Sequence, residues 1–278
     1  MRLLGLTLTS LFAVVPFLSA QQPGSNPIIN TPGNPPAASI PAPALNPNNR
    51  LDALLMQWEA RMKNVDSVWA KGMTETDKDK DGTVRVYKGE ARFLKPNFAS
   101  VRLEREDNPK LGKMMVSSGN MGYDYRPQEK MLYVYRLPPQ AAGLANAGIL
   151  SFIGGMGAAE AKARFEMKIT KDAKAADATS PEQPFIYIDL VPRFAQDQKE
   201  FSRAQLVMVS TTLMPRRLWT VAVNGNETTY DLPIMNTAAG LKPVDFAPPP
   251  APEGWTTKEI PLDQSMPQPR IYRPAGSR

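Results

Sequence analysis

Residues 87–135 read YKGEARFLKPNFASVRLEREDNPKLGKMMVSSGNMGYDYRPQEKMLYVY, and their alternation decides the fold. Tyr87, Gly89, Ala91, Phe93 and Lys95 share one parity, while Lys88, Glu90 and Arg92 share the other. Successive strand residues point to opposite faces, so one face is apolar and one is wet, as in an antiparallel sheet covered on a single side. One cation, Lys95, falls on the apolar parity. Pro96 cannot donate to a ladder, so Lys95-Pro96-Asn97 reads as a turn. Residues 98–105 continue with Ala99, Val101 and Leu103 on one side, and Asn108 to Gly112 turn back. Residues 114–117, 122–125 and 130–136 read as short strands separated by Ser118-Gly119-Asn120 and by 126–129. Met131, Tyr133 and Tyr135 alternate in the last of them.

Upstream, Leu51, Leu54, Leu55, Trp58, Met62 and Val65 recur at helical spacing. Asn48 or Asn49 caps this helix by accepting from free first-turn amides. Its apolar stripe needs a partner, and a sheet face is the natural one. Residues 68–76 read as a first strand, turning through DKDKDG at 77–82 into 83–87. The DxDxDG pattern is that of a calcium loop, but the twelfth position, where a bidentate Glu belongs, is Lys88. A charged hairpin ending in Gly82 explains the same residues.

Downstream, Pro138-Pro139 permits a helix start, and Leu144, Ile149, Leu150, Phe152 and Ile153 give it an apolar side before Gly154-Gly155. The IGGMG run lacks the Lys-Ser/Thr of a phosphate loop. Residues 164–170, 185–191, 204–210, 216–223 and 227–232 read as strands, with Asn224-Gly225 a hairpin signal. Asn226-Glu227-Thr228 fits a glycosylation acceptor, and the same residues serve the turn.

Of the 278 residues, 1–20 carry one charged side chain, Arg2, then an apolar run and Ser19-Ala20, the pattern of a secretory signal peptide; an uncleaved membrane anchor is the alternative. Residues 21–48 are a Pro/Asn-rich linker, and 248–278 a Pro-rich tail expected to be irregular. One domain, 49–247, remains, long enough for one core. The chain has no Cys, which excludes disulfides and a lipid-modified N-terminal cysteine. It has no His, which removes the commonest general base and transition-metal ligand. Neither a cofactor nor a metal is called for. The net charge of +6 is spread and mixed with acids, so it reads as a solvated surface with weak attraction to anionic headgroups. No basic–aromatic patch of the kind that tracks nucleic acid is present.

These residues resemble the LolA-like superfamily, which includes LolA, LolB and LppX, and look most like planctomycete LolA-like proteins of unassigned function. Four places carry the resemblance, in the family's order. Residues 87–97, YKGEARFLKPN, look like the family's Gly-x-hydrophobic strand ending in Arg-Pro-Asn. Residues 115–127, MVSSGNMGYDYRP, look like its "VSDG…lwfYnP" hairpin. Residues 206–230 look like its paired late strands, and Val244-Asp245-Phe246 with Pro248 and Gly254 like its terminal "F.F.pP.G" segment. The match covers roughly 51–260.

The resemblance implies an α+β fold, a curved antiparallel half-barrel whose concave apolar face is covered by an N-terminal helix and a helical insertion. It implies an exported, periplasmic or secreted, monomeric carrier that holds lipid or lipoprotein acyl chains and meets a transfer partner in the inner or outer membrane. On this sequence the expected acyl-facing residues are Trp58, Tyr87, Ala91, Phe93, Val101, Leu103, Tyr123, Tyr125, Tyr133, Leu150, Phe152 and Ile153. The helix at 144–153 is the lid, and Lys95 matches the arginine thought to latch it. Lysine keeps the charge and loses the planar, multi-donor fork. Asp124 also departs from the family's aromatic or apolar residue, and the long linker is outside its pattern. The same residues fit a second reading, an envelope interaction domain of this fold with a filled core. An enzyme needs paired carboxylates or a Ser-Lys pair, but the acids fall in turns and on wet faces and no G-x-S-x-G occurs.

Overall fold

The computed structural model describes residues 44–137, 156–172 and 185–260. The expected leader, most of the expected linker and the expected 144–153 lid, with Leu150, Phe152 and Ile153, lie outside them. So do the 173–184 loop and the end of the tail.

Helix α1, Arg50–Lys63, starts where the sequence places its cap: the Asn49 side chain accepts from the amides of Leu51 and Asp52. Its buried stripe is Leu54, Leu55, Trp58 and Met62. Among the described residues thirteen strands follow: β1 (Ser67–Lys78), β2 (Val84–Leu94), β3 (Phe98–Arg105), β4 (Lys113–Ser118), β5 (Met121–Arg126), β6 (Met131–Arg136), β7 (Phe165–Lys171), β8 (Phe185–Pro192), β9 (Arg203–Val209), β10 (Pro215–Val221), β11 (Glu227–Asp231), β12 (Ile234–Asn236) and β13 (Thr256–Ile260). Short helices α2, Ala158–Arg164, and α3, Ala195–Glu200, precede β7 and β9. Neither helix was expected from the sequence, because pieces of seven and six residues show too little periodicity.

The strand order is β13-β6-β5-β4-β3-β2-β1-β11-β10-β9-β8-β7, with β12 beside β1. Every pairing is antiparallel except the parallel β13–β6. β13 and β7 end the path without meeting, so the sheet is open.

The sheet curls around α1. The eight strands from β3 to β7 would span about 34 Å if flat, at ~4.8 Å per strand, whereas a helix is only ~10–12 Å wide. Yet Val101 on β3, Leu218 on β10, Ile188 on β8 and Phe165 on β7 share one core with Leu54, Trp58 and Met62 of α1. Only a wrapped sheet brings both flanks to one helix. Gly89 permits a close approach along this face, since a Cβ there would lie 1.9 Å from the Arg102 carbonyl oxygen of β3.

Residues 243–260 form a strap along the sheet, irregular over 247–252 and ending in β13. Phe246 sits 5.6 Å from Phe98, Ala251 and Trp255 pack on the cluster of Val116, Tyr125 and Leu132, and β13 pairs with β6. The strap's aromatics and Ile260 hold it to the sheet.

Candidate functional site

The inner face is defined by register, because directly opposed residues point the same way. Phe93, Ala91 and Tyr87 of β2 stand opposite Val68, Ala70 and Glu75 of β1, and Ala91 stands opposite Val101 of β3. On the far side of β1, Tyr230, Leu218, Leu206 and Ile188 continue the row through β11, β10, β9 and β8. The result is a largely apolar wall, interrupted on β1 by Glu75, that includes the small residues Ala70, Ala91, Ala99 and Ala204, with α1 laid against it.

Polar contacts hold α1 at its ends and edges. Arg50 pairs with Asp172 at 2.8 Å, and the buried Asp52 with Lys162 of α2 at 2.7 Å. Glu59 accepts from the Ala158 amide at 3.1 Å, and Arg61 donates to the Thr212 carbonyl. Lys95 Nζ donates to the carbonyls of Met62 (2.9 Å) and Lys63 (3.3 Å), where a cation also complements the helix dipole. Lys95 therefore fastens the C-terminal turn of α1; the lid it was matched to lies outside the described residues.

Of the expected acyl-facing residues, Trp58, Tyr87, Ala91, Phe93, Val101 and Leu103 come together in one core. Tyr133 shares their face through Asp124 and Met115, but sits in a separate small cluster with Tyr135 and Ile260. Tyr123 and Tyr125 do not join them. Tyr123 stands opposite Val116 and Tyr125 opposite Met114, both on the outer face, and Tyr125 Oη donates to the Pro249 carbonyl of the strap. The inward positions of β5 are Gly122, Asp124 and Arg126. The Tyr135 ring lies over Gly122, where a Cβ would come within 2.4 Å of it.

One part of the inner face is charged. Lys113 reaches across to Glu75, to Asp77 Oδ2 at 2.9 Å, and over the Tyr87 ring at 4.2 Å. Asp77 Oδ1 accepts from Thr228 at 3.0 Å, and Arg85 binds Asp79 through two bonds of 2.8 and 2.7 Å. Burial pushes the Glu75 carboxyl up to about 7, against the pull of Lys113. Burial alone would lower the Lys113 ammonium, but the Glu75 and Asp77 carboxylates outweigh it and hold the group above its usual range. Burial with Asp197 likewise pushes Glu200 up to about 7.

Sequence parity misses Glu75 and Asp77 because of a bulge. The β1–β2 register shifts between Lys71 and Met73, with Gly72 at φ 64°, so the inward set passes from Val68 and Ala70 to Met73, Glu75 and Asp77. Gly72 inside a strand is the signal that could have found it. Among the described residues, no group of three acidic side chains is placed to hold a metal ion.

No protein-family model and no curated protein matches the chain. Several solved structures do. A LolA superfamily protein from Nitrosomonas europaea matches at 11% identity and TM-score 0.35, covering 71% of this chain and 97% of its own. An uncharacterized conserved protein from Thermus thermophilus matches at 12% and 0.43, over 73% and 98%. The Mycobacterium tuberculosis lipoprotein LppX matches at 12% and 0.35, over 64% and 92%. The fold itself is an open antiparallel sheet with an N-terminal helix. At these identities and TM-scores the matches assign neither family nor role. Within this sheet, the wall between α1 and Ala91 is the candidate ligand site. Among the described residues, no helix is long and apolar enough to cross a membrane.

Proposed function

We propose that the protein is an exported, non-enzymatic carrier that takes acyl chains of a lipid or lipoprotein between the sheet and α1. The observation that supports this reading is the inner wall, apolar over most of eight strands, with α1 as its described cover and polar contacts around that cover. The exposed Arg50–Asp172 pair is worth ~0–1 kcal/mol, so what acyl burial must offset on lifting α1 is the buried Asp52–Lys162 pair and the stripe of Leu54, Leu55, Trp58 and Met62. Each methylene buried behind α1 returns about 0.8 kcal/mol. The small residues Ala70 and Ala91 of the wall leave the path for a chain along the sheet once α1 lifts. Residues 1–20, read as a leader, support the export in this reading, and a membrane-bound donor or acceptor supplies and receives the cargo.

One observation favours a second reading, an interaction domain with a filled core. Leu54, Trp58, Ala91 and Val101 are all at most 3% exposed. Ala91→Trp separates the two. The carrier reading expects a folded variant with uptake of a fluorescent fatty acid reduced about tenfold or more, because the indole occupies the chain's path. A folded variant that takes up the probe as wild type does removes the site from this wall.

A further inference from the structure

The inner face changes character along its strands. Ala91 stands opposite Ala70 on β1 and Val101 on β3, and Phe93 stands opposite Val68 and Ala99. In the other direction Tyr87 stands opposite Glu75 on β1 and Arg105 on β3, and Asp77 stands opposite Arg85. Glu75, Asp77, Arg85 and Arg105 are all at most 7% exposed. The wall is thus apolar at the end where Lys95 meets the last turn of α1, and charged at the end near the β1–β2 hairpin.

One side chain closes the charged end. Lys113 on β4 reaches Glu75 on β1 and Asp77 Oδ2 at 2.9 Å, although β3 and β2 lie between the two strands. In a flat sheet β4 and β1 would stand about 14 Å apart, more than a four-carbon lysine stem can span, so the curl brings them together across the concave side. Gly89 lies in the Lys113 row, beyond Leu103, and has no side chain to obstruct the crossing. On the far side of Asp77 the Thr228 hydroxyl donates to Asp77 Oδ1 at 3.0 Å, and Thr220 donates to the Thr228 carbonyl at 3.4 Å. A polar bar, each member at most 8% exposed, therefore crosses the concave face from β4 to β10.

A methyl terminus does not pass this bar, because parting the buried pairs would leave charges that a hydrocarbon cannot compensate. A headgroup is no better received. Lys113 is shared by Glu75 and Asp77, Arg85 is held by Asp79, and Arg105 by Asp107. At the other end the Lys95 bond to the Lys63 carbonyl is exposed, so a headgroup there stays in water. We propose that the Lys113–Glu75–Asp77 bar is the blind end of the acyl site, which receives a chain methyl-first from the Lys95 end and sets the longest chain that fits. The inference rests on the carrier reading and adds to it a limit on chain length. Phe93 and Tyr87 are six residue steps apart on β2, about 20 Å, the length of an extended chain of roughly sixteen carbons.

The test uses the full-length chain and displacement of a fluorescent fatty acid by saturated fatty acids of increasing length, from about twelve to about twenty-four carbons. Wild-type affinity is expected to rise about fourfold per methylene up to roughly sixteen carbons and to stop rising beyond. Lys113→Ala combined with Glu75→Gln removes both partners of one pair, while Asp77 keeps its bond from Thr228. In this variant the limit is expected to move at least about two carbons longer, because the lysine stem no longer fills the end of the path. Where the variant fails to fold, hexadecanoate with a photoactivated diazirine near its methyl end decides the matter on wild type. Adducts are expected on Met73, Tyr87 or Leu103, the residues beside the bar. Affinity that keeps rising through the series, a limit that stays put in the folded variant, or adducts confined to Val68, Phe93 and Ala99 overturns the blind end and leaves the carrier reading standing. Failure of wild type to bind any member of the series overturns both.

Discussion

On β2, Ala91 and Phe93 point inward to the core while Glu90 and Arg92 point outward; on β4 and β5, Lys113, Asp124 and Arg126 point inward while Val116 and Tyr125 point outward. The same sheet thus reverses its polarity between its middle and its lip. The middle is covered from inside by α1, and the lip from outside by the strap at 243–260. Alternation therefore reports that a face is covered, but not which face. The cover for the lip lies more than a hundred residues downstream, where no local pattern announces it.

Four substitutions break or sharpen this contrast. The largest effect is expected in the middle. Trp58→Ala removes the largest side chain of α1 from the shared core and should cost about 3–5 kcal/mol in denaturant unfolding. Lys113→Met comes next, because it leaves Glu75 and Asp77 without their shared cation. The expected loss is about 3 kcal/mol at pH 8, shrinking toward pH 5 as Glu75 takes up a proton instead.

The third comparison is between pH values. Glu75 has a folded-state pKa of about 7, above its ordinary 4.5, so the folded protein holds this proton more tightly than the unfolded chain. The resulting stability is fully present below about pH 4.5 and is lost as pH rises through about 7, on the order of 2–3 kcal/mol. Glu200 contributes in the same direction. Unfolding free energies of Glu75→Gln and wild type, measured from pH 5 to pH 8, should diverge in favour of the variant as pH rises. Parallel curves would remove Glu75 from the account. The smallest effect belongs to the lip. Tyr125→Phe loses the bond to the Pro249 carbonyl and should cost about 1 kcal/mol, with faster amide exchange in 249–260 and none in α1.

Much of the architecture was legible. The helix from Asn49, the meander through β6 and the late hairpin at Asn224-Gly225 follow from cap, parity and turn chemistry, which act over a few residues. So did most of the wall, since Ala91, Phe93, Val101 and Leu103 keep strict alternation in unbulged strands. Tyr123 and Tyr125 were misplaced because aromatic character was read as facing inward, whereas the deciding contact, Trp255 and Pro249, is non-local. Glu75 and Asp77 were hidden by the Gly72 bulge, which inverts parity after one residue. Lys95 was legible as a cation on the apolar parity, but its partners, the last carbonyls of α1, lie about thirty residues upstream.

The central claim is that an acyl chain occupies the space between α1 and the inner wall. Native mass spectrometry with lipid extraction, on protein purified from its own cells without detergent, tests it most directly. The account expects an amphiphile bound in near-stoichiometric amount and lost on extraction. A clean apo mass, unchanged after incubation with envelope lipids and lipoproteins, would contradict it and leave an interaction domain with a filled core.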